Sequence, residues 1–240
     1  MNTFDISEKT LIVIPARLQS KRLPNKPLLI HRSKTLLDYT YEQAKKTIAH
    51  KVVIASDDQA ILDYCTDKKI EYVQTTDCPN GTARCFQAYA QLADKGFSRI
   101  INWQVDEPLI DSLWVDTLIK NIGMHSPRVL TITAPMTTEQ LHDENVVKAI
   151  VSIYAKTRRC HWFTRSPVKE NSMGHCGIYG FTKGTLWDAF NAKESESSKN
   201  EQLEQLSWIE AGISINSITV NKLPLSINTP EDWTQFCNEN

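Results

Sequence analysis

The sequence predicts an α/β fold, a mostly parallel central sheet with helices on both faces. Three observations carry that reading. Short β-branched runs, such as Leu11–Ile14 and Lys51–Ser56, alternate with longer stretches whose apolar residues recur every three or four positions. The first run ends at Pro15 and leads into a cation-rich loop, as expected at the carboxyl end of a buried strand. The chain has 240 residues, of which 41% are hydrophobic and 23% charged, which suits one large α/β domain over 1–240.

Leu11–Ile14 reads as the first strand. Arg17, Lys21, Arg22 and Lys26 then follow with no acid before Asp38, and Pro24 and Pro27 disfavour a continuous helix. Clustered cations beyond a strand end suit a polyphosphate. Leu36–Ala49 has helical periodicity, and Lys51–Ser56 reads as a second strand. Asp57 is an N-cap candidate for the next helix. Glu71–Gln74 is a short strand, Asn80-Gly81-Thr82 a turn, and Ala83–Ala93 a helix. Arg99–Trp103 is a strand, Asp111 caps a helix, and Val129–Pro135 is a further strand. Alternation of this kind implies right-handed βα crossovers.

The alternation loosens after Thr137. Val146–Tyr154 and Cys160–Phe163 read as paired strands and Gly177–Phe181 as another, giving a smaller β-rich excursion over about 137–185. Glu194–Asn200 reads as a polar surface segment. Leu203–Glu210 reads as a helix stopping at Gly212, and Ser214–Val220 as a strand. Thr229 opens a final helix, with Pro230 in its first turn.

Composition excludes several classes. The net charge of -1 gives no global attraction to nucleic acid or to an anionic membrane. No apolar run approaches the roughly 20 residues of a transmembrane helix. The polar start, MNTFDISEKT, is unlike a signal peptide. Six cysteines form no CxxC pair and read as reduced thiols of a cytoplasmic protein. The six histidines show no zinc spacing.

A series of motifs resembles the sugar-acid cytidylyltransferases that activate 3-deoxy-manno-octulosonate (Kdo). They are IPAR, SKRLP and KPL in the basic loop, then Ala55-Ser56-Asp57-Asp58, Asn80–Arg84 (NGTAR) and Asn102–Ile110 (NWQVDEPLI). Asn145–Lys148 (NVVK), Phe163–Pro167 (FTRSP), His175–Tyr179 (HCGIY), Leu203–Leu206 (LEQL) and Ile227–Asp232 (INTPED) complete the series, in order along nearly the whole chain. The resemblance implies transfer of CMP from CTP to a 3-deoxy-2-ulosonic acid with release of pyrophosphate, in the cytoplasm, for lipopolysaccharide or capsule sugar activation. It implies Mg²⁺ as cofactor and a homodimer formed through the β-rich excursion, with no nucleic-acid or membrane partner.

By the same resemblance, Arg17, Lys26 and Asp106 are the catalytic candidates. Ala16, Lys21, Arg22, Ser56, Asp57, Gly81 and Thr82 join Arg17 and Lys26 at the nucleotide. Gln104, Arg165, His175, Tyr179, Glu204 and Gln205 face the sugar acid, Arg165 because its fork pairs with a carboxylate. Asp106 and Asn228 would hold the metal. Glu107 reads as structural.

Four departures from the family pattern stand out: Asn228 for an aspartate, Val105 for a glycine, Ala83 for an acid that would accompany Arg84, and Cys78 with Asn80 for a histidine and a serine. Two explanations stay open here. The enzyme activates a modified acid such as an amino-Kdo, or it is a weak or inactive paralogue that binds nucleotide or sugar acid. Use of another nucleotide or sugar is a third reading, against which Arg165, His175 and LEQL weigh.

Overall fold

A computed structural model describes residues 8–20, 22–123, 128–152 and 158–240. The first half alternates as the sequence predicts. Strand β1 (Lys9–Pro15) is followed by a 3₁₀ turn at Lys26–Leu28, a two-stranded ribbon of β2 (Ile30–His31) and β3 (Lys34–Thr35), and helix α1 (Leu36–Lys45). Then come β4 (Lys51–Ser56), α2 (Gln59–Lys68), β5 (Tyr72–Gln74), α3 (Gly81–Gln91), β6 (Phe97–Trp103), α4 (Ser112–Asn121) and β7 (Val129–Ala134).

The second half comprises α5 (Thr138–His142), β8 (Lys148–Val151), β9 (Arg158–Thr164), β10 (Ser172–Thr182), α6 (Lys183–Asn191) and α7 (Glu196–Glu201). It closes with α8 (Gln205–Glu210), β11 (Ile215–Thr219) and α9 (Pro230–Glu239).

Nine strands form one sheet in the order β5-β4-β1-β6-β10-β7-β11-β9-β8. The expectation of a mostly parallel sheet needs correction, because the sheet is mixed. β5, β4, β1 and β6 are parallel neighbours, but β10 runs antiparallel to both β6 and β7. β10 is also longer than the sequence suggests. It extends well beyond the predicted Gly177–Phe181, so one strand serves the central sheet at one end and pairs with β8 at the other. The β-rich segment over 137–185 is therefore stitched into the main sheet.

Alternation along the strands builds the two faces. Leu11 and Val13 point with Val53 and Ala55 toward Cys85 and Ala88 of α3 and Leu186 of α6. Ile12 and Ile14 point with Val52 and Ile54 toward Leu37 of α1, Ile61 of α2 and Val115 of α4. Strands buried on both sides need apolar residues at successive positions, hence the unbroken Leu11–Ile14 run. Helices thus cover both faces, as predicted.

Local chemistry explains the helix starts. Thr35, Thr137, Thr182 and Thr229 cap α1, α5, α6 and α9, each in a reciprocal box with the third helical residue. Asp111 accepts the Leu113 amide at the start of α4. Asp57 is not the cap of α2; that position falls to Asp58, whose carboxylate is engaged elsewhere. The polar Glu194–Asn200 segment folds partly as α7, started by Ser195. The predicted strand end at Tyr154 lies outside the described residues.

No helix among the described residues is long and apolar enough to cross a membrane. All six cysteines are free, and all but Cys237 are buried.

Candidate active site

A cleft of about 1670 Å³ opens at the carboxyl ends of the parallel strands. Its floor is built from the β1, β6 and α3 segments and its other wall from β10, α8 and the turn before α9. The basic loop supplies one rim. The Ala16 amide donates to Ala55 O at 2.9 Å, and the Leu18 amide donates to Asp58 Oδ2 at 2.7 Å. Asp58 therefore anchors the cationic loop, a role not read from the sequence. The adjacent acids in Ser56-Asp57-Asp58 offered no signal that separated one from the other.

Arg17 and Arg22 line the cleft, and Lys21 lies outside the described residues. Arg22 donates from Nη1 to Asn145 Oδ1 at 2.7 Å and from Nη2 to Asn228 Oδ1 at 3.3 Å. Lys26 is set by the 3₁₀ turn that Asn25 enters in a left-handed conformation, φ 55°. Its Nζ lies 2.6 Å from Asp106 Oδ2 and donates to Ile227 O at 3.1 Å. The Ile227 amide in turn donates to Asp106 O at 2.8 Å. These three contacts staple the turn carrying Asn228 to the turn carrying Asp106.

Ala16 and Ser56 are buried, and neither lines the cleft. Ser56 Oγ accepts the Asp58 amide at 3.1 Å. Asp57 also lies outside the cleft lining. Its Oδ1 is 2.5 Å from Arg84 Nη1, while Arg84 also donates to Thr75 Oγ1 at 2.6 Å. Arg84 thus obtains from β4 the carboxylate that Ala83 cannot give it. Asn80 caps α3 by accepting the Ala83 amide at 2.8 Å.

Gly81 and Thr82 begin α3 at the cleft floor. A Cβ on Gly81 would meet Gln104 Nε2 at 2.6 Å, so glycine lets the Gln104 amide lie against this turn, and a larger residue would push that side chain aside. Gln104 donates to Asn102 Oδ1, Asn102 to Thr82 Oγ1, and Thr82 to Glu204 Oε1 at 2.9 Å. This chain of hydrogen bonds links the Gly81–Thr82 turn to the helix α8 wall. Glu204 Oε2 is buried without a partner among the described residues, and burial pushes the carboxyl up to about 7. Gln205 is buried beside it.

Val105 fills the apolar cluster under α1, and its carbonyl accepts from Thr40 Oγ1 at 2.8 Å. It has no positive φ and does not line the cleft, so the bulk expected from replacing glycine is taken up by the core. Glu107 Oε1 accepts the Gly177 amide at 2.7 Å. Burial first, and the Asp106 charge second, push its carboxyl up to about 8.

The opposite wall holds His175, Tyr179 and Arg165. His175 Nε2 lies 2.9 Å from Thr131 Oγ1, and its ring sits 5.0 Å from Phe163 and 5.4 Å from Tyr179. Burial drives its pKa down to about 3, so the ring is neutral at physiological pH. Tyr179 packs on Trp208 at 4.9 Å, and its phenol is raised well above its ordinary range by burial. Arg165 donates to two backbone carbonyls, Glu201 O and Glu144 O, both at 3.1 Å. Its pKa is lowered, first by burial and then by the nearby Arg22 charge.

One further group went unread in the sequence. Lys148 is fully buried, with Nζ donating to Asp143 O at 2.5 Å and Arg165 O at 2.9 Å. It braces the wall behind Arg165. Nothing in NVVK separates a buried lysine from a solvated one.

No cluster of three or more His, Cys, Asp or Glu side chains suited to a metal occurs among the described residues. Asp106 and Asn228 are brought together by the Lys26–Ile227 staple. Asp106 Oδ2 takes Lys26, leaving Oδ1 without a hydrogen bond among the described residues. One carboxylate and one amide oxygen fit Mg²⁺, which takes most of its ligands from water and substrate phosphates.

Residues 11–215 match the cytidylyltransferase family. The 3-deoxy-manno-octulosonate cytidylyltransferase of Chlamydia felis is 32% identical over 94% of this chain and 91% of its own length. That of Rickettsia prowazekii is 30% identical over 96% of each chain. The solved structure of a CMP:2-keto-3-deoxy-manno-octonic acid synthetase complexed with CTP superposes with a TM-score of 0.84 at 28% identity, covering 97% of this chain and 98% of that one. With a family match over most of its length and full-length relatives at this identity, the chain belongs to the cytidylyltransferase family.

Proposed function

We propose that this protein is a single-domain, cytoplasmic, Mg²⁺-dependent enzyme that transfers CMP from CTP to Kdo or a close variant, supplying an activated sugar for lipopolysaccharide or capsule assembly. The observation that carries the reading is a single cleft lined by Arg17 and Arg22 on one side and by Arg165 and His175 on the other, with the hydrogen-bonded line from Gln104 through Asn102 and Thr82 to Glu204 between them.

The anomeric hydroxyl of the sugar acid attacks the α-phosphorus. The new P–O bond forms as the bond to the β-phosphate oxygen breaks, pyrophosphate leaves, and the hydroxyl proton passes to solvent. Such a reaction needs positioning and charge neutralisation above all. Arg17, Arg22 and Lys26 bind the triphosphate and offset the charge that builds on pyrophosphate. Gly81 and Thr82 bring backbone close to the base. Arg165 pairs with the sugar carboxylate, and neutral His175, Tyr179 and Gln205 line the sugar side. Glu204 offers its unpartnered oxygen to a sugar hydroxyl. Asp106 and Asn228 would hold Mg²⁺, which would offset negative charge on the phosphates.

Both of the more consequential substitutions, Ala83 and Val105, have structural compensation, through Asp57 and through the core under α1. That favours a working enzyme over a decayed paralogue. Neutral Asn228 leaves the acid-binding side intact and bears on the metal and on Arg22, whose Nη2 it accepts. A homodimer is proposed on family likeness.

The test is pyrophosphate release with CTP and Mg²⁺ against Kdo, amino-substituted Kdo and nonulosonic acids. Release with a Kdo-type acid is expected. Release with none of them returns the protein to a binding role.

A further inference from the structure

Arg22 is clamped by two neutral acceptors. Asn145, in the turn before β8, takes its Nη1, and Asn228, in the turn before α9, takes its Nη2. Both asparagines are themselves anchored, Asn145 through its backbone. The Asn145 backbone N–H donates to Asp143 Oδ1 at 2.8 Å. Asn228 donates from Nδ2 to Ser226 Oγ at 3.1 Å and from its backbone to Asp232 Oδ2 at 2.8 Å. Asp143 and Asp232 are thus committed to backbone amides. Among the described residues no carboxylate lies within ion-pair distance of Arg22 or of Arg165. The two guanidiniums are close enough for the Arg22 charge to depress the pKa of Arg165.

A carboxylate would hold Arg22 more tightly than an amide, but it would also cancel the charge. Two amides fix the fork's direction and leave the full positive charge facing the cleft. We infer that Asn145 is a positioning residue that orients Arg22 toward the β- and γ-phosphates of the nucleotide, and that its neutrality is part of the device. The inference rests on the proposed reading of the cleft as a CTP site.

Titration calorimetry with CTP and with CMP, in the presence of Mg²⁺, tests it on wild type, Asn145→Ala, Asn145→Asp, Arg22→Ala and the Asn145→Ala/Arg22→Ala double variant. Asn145 is a half-buried turn residue, and thermal melts establish that each variant is folded. Asn145→Ala should weaken CTP about threefold to tenfold, the range for one ordinary hydrogen bond, because Arg22 keeps its charge and loses only its orientation. It should leave CMP, which lacks the outer phosphates, unchanged. In the Arg22→Ala background the same substitution should have no effect. Asn145→Asp should weaken CTP at least as much as alanine does, although aspartate is the better acceptor for arginine.

An Asn145→Ala effect that persists without Arg22, or that is equal for CMP, overturns the positioning role. Wild-type CTP affinity in Asn145→Asp overturns the requirement for neutrality. A wild-type protein that binds no CTP overturns the proposed function itself, and the inference with it.

Discussion

Arg84, buried in α3, finds its carboxylate across the fold in Asp57, at the end of β4, with Nη1 and Oδ1 2.5 Å apart. The guanidinium is 4% exposed and the carboxylate 28% exposed, so the pair is desolvated from one side only. Removing one partner of such a pair strands the other. Asp57→Ala should therefore destabilise the protein by about 2–3 kcal/mol, below the 3–5 kcal/mol of a fully buried pair because Asp57 keeps some solvent. Urea denaturation of the two proteins measures it. An unchanged midpoint would mean that Thr75 alone suffices to hold Arg84.

Lys26 joins three pieces of the site: its own loop, Asp106 and the carbonyl of Ile227. Lys26→Met keeps the stem and removes the charge. Loss of one charge-assisted phosphate contact is worth roughly 1.5–3 kcal/mol, so kcat should fall about 10- to 100-fold. The comparison is steady-state turnover, with circular dichroism to follow the fold. Near-normal turnover would remove Lys26 from the phosphate site.

Arg165 already spends two of its donors on the carbonyls of Glu201 and Glu144. What it can offer a carboxylate is the rest of its planar fork. Arg165→Lys keeps a charge but loses that geometry. The KM for the sugar acid should rise about tenfold with little change in the KM for CTP, the size of one strong hydrogen bond. Two unmoved KM values would make Arg165 a purely structural residue.

Glu204 gives a pH signature. Its carboxyl is raised from 4.5 to about 7 by burial, against the lowering effect of the Thr82 hydrogen bonds. A folded-state pKa above the unfolded value means that the folded protein holds the proton more tightly. The associated stability is complete below about pH 4.5 and is lost as pH rises through about 7. Glu204→Gln cannot ionise, so its stability relative to wild type should improve by roughly 2–3 kcal/mol between pH 5 and pH 8. Melting temperatures across that range for the ligand-free proteins give the answer. A constant difference would show that Glu204 titrates normally in the fold.

The sequence by itself determined which segments are strands and helices through most of the first half, because buried parallel strands need continuous β-branched runs and helices need a three-to-four repeat. Leu11–Ile14 and Lys51–Ser56 sit where those patterns put them, and Thr229-Pro230 marked the last helix by cap chemistry alone. The motif series also named residues that line one cleft, such as Arg17, Gly81, Gln104 and Asp106, since residues at strand ends converge there, while Ala16, Lys26, Ser56 and Asp57 from the same motifs lie outside its lining. Only the tertiary structure decided how they are held. Pairing direction depends on neighbours far away in sequence, so the antiparallel β10 at the centre of the sheet was not legible from its own residues. The partners Asp57 for Arg84, Asp58 for the Leu18 amide, Asn145 for Arg22 and two carbonyls for Lys148 each connect distant segments or backbone atoms. No local pattern encodes such pairs, because their energies come from burial and charge that exist only once the chain has folded.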